Sequence, residues 1–97
     1  MEVDIYQKLK ADFCEKTGEA REILSGLDAK TKGLVSAQVV RAVIFLSHGS
    51  LTELKQNCDL ALWNNSELLR KAEFSDSGSE RVRDFNRNFH QLNLIRG

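Results

Sequence analysis

The chain has 97 residues, with 14 Lys plus Arg against 14 Asp plus Glu, a mean hydropathy of −0.37, two cysteines and no proline. That size bounds it to one domain, which hides roughly two thirds of its unfolded surface and holds a core without metal or disulfide staples. The balanced charge excludes the broad positive field by which nucleic-acid and anionic-membrane binders capture their partners, leaving such partners only a local patch.

Without proline, punctuation falls to glycine and capping residues, and an all-α fold is expected. Cys14 and Cys58 each lack a neighbouring Cys or His, which reads as two free thiols rather than a metal knuckle or a redox pair. No charged-then-apolar leader opens the chain, and its longest apolar run is far short of about 20 residues. A cytoplasmic protein with no membrane contact is the expectation.

Over 3–27 the apolar positions Ile5, Leu9, Phe13, Ala20, Ile23, Leu24 and Leu27 keep one helical face, with the stem of Lys16 bridging the missing turn. Gly18 lies inside this register at a cost of about 1 kcal/mol relative to alanine. The segment is therefore one long helix weakened at Gly18 or a helix kinked there, with Thr17 able to recap the restart. The stretch 25–33, with two glycines, Asp28 and Thr31, reads as the turn that sends the chain back.

The run 34–46 is interrupted only by Ser36, Gln38 and Arg41 and predicts a buried central helix over about 34–48. Gly49 stands where a left-handed residue ends a helix, and Ser50 with Glu53 has the spacing of a capping box. Leu51, Leu54, Cys58 and Ala61 form the next stripe, but continuing it would bury Asn65. A break near Asn64 avoids this, with Asn64 as N-cap, Glu67 at N3, and Trp63 and Leu68 placed to staple the junction.

The Ser/Gly-rich stretch 75–79 reads as a solvated loop. Beyond it Val82, Phe85, Phe89 and Leu92 step by helical intervals, which predicts a last amphipathic helix over about 80–92. The whole reads as a compact all-α bundle of four to five helices around the central apolar one, in a single domain spanning 1–97.

Several candidate sites follow. A helix-turn-helix around Gly49 has the right grammar, but Thr52, Glu53, Gln56, Asn57 and Asp59 on the would-be recognition helix offer two carboxylates to the phosphates and only Lys55 as a cation. The one charge bias lies in the last segment, where Arg81, Arg83, Arg87 and Arg96 are opposed only by Asp84. Arginine forks bind phosphates and carboxylates, and the Phe85/Phe89 face suits a groove or a partner helix. The plainer reading gives both phenylalanines to the domain's own core and leaves the arginines as a solvated rim. Trp63 reads first as staple or core and second as an exposed binding contact.

Gln38, Arg41 and His48 form a polar track beside Phe45 on the central helix. A buried Arg41 needs a carboxylate, for which Glu73 and Asp84 are the candidates, and the trio would then suit a small anion or ligand. Otherwise Arg41 snorkels to the surface and His48 interacts with the terminal carbonyls of its helix. His48 with Cys58 or Cys14 supplies residue types for catalysis but no nucleophile elbow. Cys14, His48, Cys58 and His90 match no compact metal-ligand spacing. Neither a metal nor another cofactor is expected.

The sequence thus ranks first a non-catalytic protein-interaction or regulatory module, in its simplest form a homodimer through the C-terminal amphipathic helix. A nucleic-acid or polyanion binder using Arg81, Arg83 and Arg87 comes second. A small-ligand site or enzyme around Arg41 and His48 comes last.

Overall fold

The computed structural model describes residues 3–33, 35–74, 81–87 and 89. Leu34, the 75–79 stretch, His90, Leu92 and Arg96, all used in the sequence reading, lie outside the described residues. Five α-helices follow one another, with no β-strand among the described residues: α1 (Val3–Phe13), α2 (Thr17–Lys30), α3 (Ala37–Ser47), α4 (Leu51–Trp63) and α5 (Asn65–Glu73). This is the all-α bundle that the apolar periodicity implies.

The apolar face expected over 3–27 is real, but its interruption lies before Gly18. Ile5, Leu9 and Phe13 of α1 and Ala20, Leu24 and Leu27 of α2 are buried, while a 3₁₀ turn over Cys14–Lys16 buries nothing. Cys14 takes a left-handed φ of 49°. The Cys14 carbonyl accepts both the Thr17 backbone N–H and, at 2.6 Å, the Thr17 hydroxyl. With no apolar side chain in that turn to hold the register, the chain breaks there and resumes with Gly18 inside α2.

The return turn also lies later than its composition suggests, because α2 runs through Gly26 and Asp28 to Lys30. It ends in a Schellman pair: Gly33 N–H donates to the Asp28 carbonyl at 2.8 Å and Lys32 N–H to that of Ala29 at 3.1 Å. The left-handed position that glycine usually takes in this motif is filled by Lys32, with φ 57°.

The central helix starts at Ala37, three residues after the predicted start. Ser36 is its N-cap, accepting the Val39 N–H at 3.2 Å. Val39, Ala42, Val43 and Ile44 are buried, and α3 packs against α1, α4 and α5. Its end is tight: His48 and Gly49 are both left-handed, with φ 49° and 79°. A Cβ on Gly49 would stand 2.6 Å from the Asp12 carbonyl oxygen, so glycine is needed there both for conformation and for the approach of α1.

Ser50 caps α4 by accepting the Glu53 N–H at 3.3 Å, while its own N–H donates to the Ser47 carbonyl at 2.9 Å. The break near Asn64 is present, with Asn64 accepting the Glu67 N–H at 3.2 Å and Asn65 exposed as the first residue of α5. Trp63, however, is 77% exposed and staples nothing into the core.

The last expected helix is absent over 81–87. Phe74 and Arg81 instead form an isolated antiparallel bridge, and the Val82 and Arg83 N–H groups both donate to the Glu73 carbonyl, at 2.7 and 3.1 Å. Asp84 then turns the chain, its carboxylate accepting the Asn86 N–H at 3.0 Å and its carbonyl the Arg87 N–H at 3.1 Å. Such local side-chain bonds compete with helix formation. One turn serves the same end as a helix would, because the Phe85 side chain is fully buried and Phe89 packs against the core.

Candidate functional site

The polar residues buried with this core hold residues 81–87 and 89, hereafter the strap. Glu73, at the end of α5 and only 4% exposed, accepts from Gln38 Nε2 at 3.1 Å, from Arg81 Nη2 at 3.1 Å and from the Phe85 backbone N–H at 2.8 Å. A buried carboxylate is tolerated when its lone pairs are occupied in this way. Arg41, 6% exposed on α3, forks onto Asp4 of α1 through Nε at 2.9 Å and Nη2 at 3.1 Å, and its Nη1 donates to the Phe85 carbonyl at 3.0 Å. Asp4 also accepts the Phe89 N–H at 3.1 Å. The Arg41 hydrogen bonds hold the Asp4 carboxyl below its ordinary value, and they outweigh the opposing effect of burial.

Both backbone polar groups of Phe85 are therefore met by side chains from two helices, and its ring completes the anchor. The Phe85 ring lies 5.3 Å from that of Phe45 and 6.3 Å from that of Phe89, centroid to centroid. Arg83 places its guanidinium 4.6 Å above the Phe45 ring, and Lys8 Nζ lies 5.9 Å from the Phe89 centroid.

The structure thus brings together Gln38, Arg41, Arg81, Arg83, Phe85 and Phe89, and leaves His48 and Trp63 outside the polar network. His48 is exposed at the end of α3, with its ring 6.0 Å from that of Phe45. The carboxylate that pairs bidentately with Arg41 is Asp4, whereas the sequence pointed to Glu73 or Asp84. Glu73 instead bridges Gln38, Arg81 and Phe85, and Asp84 pairs with Arg81 at 3.0 Å and approaches Arg87 at 3.7 Å. Asp4 was missed because it lies 37 residues from Arg41, in a first helical turn where an acidic residue is ordinary.

Two clefts open elsewhere on the surface. One, of about 320 Å³ between α2 and α4, is lined by Ile23, Gly26, Leu27, Cys58 and Leu62 together with the charged Glu22, Lys30, Lys55 and Asp59. The other, of about 410 Å³, is lined by residues that include Arg21, Leu24, Asp28, Val35 and Val40. Neither Arg41 nor His48 lines either cleft. Cys58 is buried, and desolvation, with the Asp59 charge adding to it, pushes its thiol up to about 11, which leaves it protonated at neutral pH. Cys14 is exposed. Among the described residues no three His, Cys, Asp or Glu side chains converge as a metal site, and no helix is long and apolar enough to cross a membrane. Compared with protein-family models, curated proteins and solved structures, the chain matches none.

Proposed function

We propose that this chain is a non-catalytic protein-interaction module that engages an apolar surface of a protein partner at the α4–α5 elbow, with Trp63 as the anchor. The observation that carries this reading is the exposure of Trp63, at 77%, beside Leu62, at 37%, where α4 ends. A bare indole is rare on a surface that stays wet, and tryptophan is enriched where binding energy concentrates. Leu62 also lines the α2–α4 cleft, whose mixed apolar and charged lining adjoins the elbow. We place the module in the cytoplasm, where the unpaired thiols Cys14 and Cys58 stay reduced.

The polyanion reading ranks behind it. Arg81 is shared between Glu73 and Asp84, Arg87 lies near Asp84, and Arg83 covers Phe45, so little of the charge bias is free for phosphates. The small-ligand reading ranks last, because the fork of Arg41 is occupied by Asp4 and the strap.

A photo-cross-linking amino acid placed at position 63 of the full chain tests the proposal in the native host. The expected result is a discrete adduct that vanishes in Leu62→Glu and does not form from a control at exposed Glu19. Equal labelling from positions 63 and 19, or an adduct indifferent to Leu62→Glu, overturns it. Trp63→Ala is expected to shift stability by no more than about 0.5 kcal/mol, as an exposed side chain should, against about 3–5 kcal/mol for a core tryptophan.

A further inference from the structure

The α2–α4 cleft has features that the bundle itself does not use. Gly26 lines it from inside α2, where glycine weakens a helix relative to alanine. Its φ is not positive, and nothing stands within 4 Å of the place its Cβ would take. Neither backbone conformation nor packing therefore requires glycine at this position. What the missing side chain leaves is room in the cleft, beside Ile23, Leu62 and the buried Cys58 thiol.

The charges of the lining are also unspent. Lys8 and Asp12, four residues apart on α1, pair at 3.3 Å, and Arg81 and Asp84, three apart, pair at 3.0 Å. Lys55 and Asp59 have the first of these spacings on α4, yet among the described residues no ion pair engages them, nor Glu22 or Lys30 across the cleft. Behind desolvation, the charges that act on the Cys58 thiol are those of Asp59, which raises it, and Lys30, which lowers it. One carboxylate and one ammonium thus stand close to the cleft floor.

We infer that the α2–α4 cleft binds a compact zwitterion of amino-acid size, with its apolar body on Ile23, Gly26 and Leu62, its carboxylate toward Lys30 and its ammonium toward Asp59. The volume of about 320 Å³ lies at the lower end of the range that ligand clefts occupy, which suits a small metabolite. Lys55 and Glu22 add one further charge of each sign, so the lining carries no net charge. A ligand with a single charge would meet one partner and stand near a like charge as well, whereas a zwitterion meets both. Each exposed charge contributes little by itself, so the apolar floor supplies the attraction and the charges select among ligands of the same body. The site is complete within one chain and does not depend on the Trp63 reading.

Titration of the full-length, isotope-labelled protein with L-leucine or L-phenylalanine, to about ten millimolar, would saturate a millimolar site. At least one of the two is expected to move the Gly26, Cys58 and Leu62 amides along one saturable curve and to leave those of Arg41 and Glu73 in place. Isocaproate and isoamylamine keep the leucine body without its ammonium or its carboxylate, and each should bind about fivefold more weakly than leucine. Lys30→Gln should weaken leucine and isocaproate without weakening isoamylamine. Asp59→Asn should weaken leucine and isoamylamine without weakening isocaproate. Both residues are exposed, so these variants keep the fold.

Gly26→Leu fills the cleft from α2 and should abolish the amide shifts. Gly26→Ala should weaken binding severalfold while raising the urea midpoint, a combination that damage to the fold would not produce. No saturable shift with either amino acid overturns the proposal. So does equal affinity for leucine, isocaproate and isoamylamine, or leucine binding that Gly26→Leu leaves intact.

Discussion

The Glu73 carboxylate accepts the Phe85 backbone N–H at 2.8 Å, across 12 residues and in a fully buried setting. Through this bond the end of α5 holds the strap that follows it, and the Glu73 backbone carbonyl takes two more strap N–H groups. Glu73→Ala would leave a buried N–H and the Gln38 amide without their acceptor. The expected loss is about 3 kcal/mol by urea unfolding. Glu73→Gln should cost less, because its carbonyl still accepts from Phe85.

Asp4 carries the second anchor, and its pH dependence has a definite sign. Its folded-state pKa is depressed below 3.8, chiefly by the Arg41 hydrogen bonds. The stability it contributes is present above the unfolded value and is lost as pH falls through the lower folded value. Denaturation midpoints measured between neutral pH and about pH 2 should therefore fall less in Asp4→Asn than in the parent chain, from a lower starting point. Parallel curves would remove Asp4 from the acid response.

Backbone substitutions should split by sign. Gly49→Ala combines a left-handed φ with a Cβ 2.6 Å from the Asp12 oxygen, and should destabilise by about 2–3 kcal/mol. Gly26, inside α2, has nothing within 4 Å of an added Cβ, so Gly26→Ala should stabilise by about 0.5–1 kcal/mol. Lys32→Gly should also stabilise, by up to about 1 kcal/mol, by relieving the left-handed lysine. Thermal melts of the three variants check the pattern.

The two thiols should behave unlike each other. Titration of the native protein with a thiol reagent at pH 8 is expected to label Cys14 rapidly and Cys58 only on unfolding, because burial raises the Cys58 thiol to about 11. Rapid labelling of both would show that the reagent reaches the Cys58 thiol from the α2–α4 cleft without unfolding.

Much of the bundle was legible because helix starts are written locally. Ser50 and Asn64 announce their caps through the residues three positions on, and the apolar run points by composition alone to the buried Val39, Ala42, Val43 and Ile44. The strap was misread for an equally physical reason. Val82, Phe85 and Phe89 satisfy the helical interval, yet a turn set by Asp84 also brings the two rings inward. Periodicity records which side chains are buried and not what the backbone does between them. Arg41 and Gln38 were picked out by their polarity within an apolar helix, but Asp4 was not, since nothing local links it to a residue on another helix. Trp63 reads first as a staple or core residue from its place just before Asn64, and its exposure depends on how α4 ends.

Amide hydrogen exchange at Phe85 in the intact chain tests most directly whether the strap is held by the bundle's own side chains. The Phe85 N–H should be protected within a factor of about ten of the α3 core amides, and Glu73→Ala should abolish that protection while α3 keeps its own. Exchange of Phe85 at the rate of an unstructured peptide in the parent chain would contradict the account.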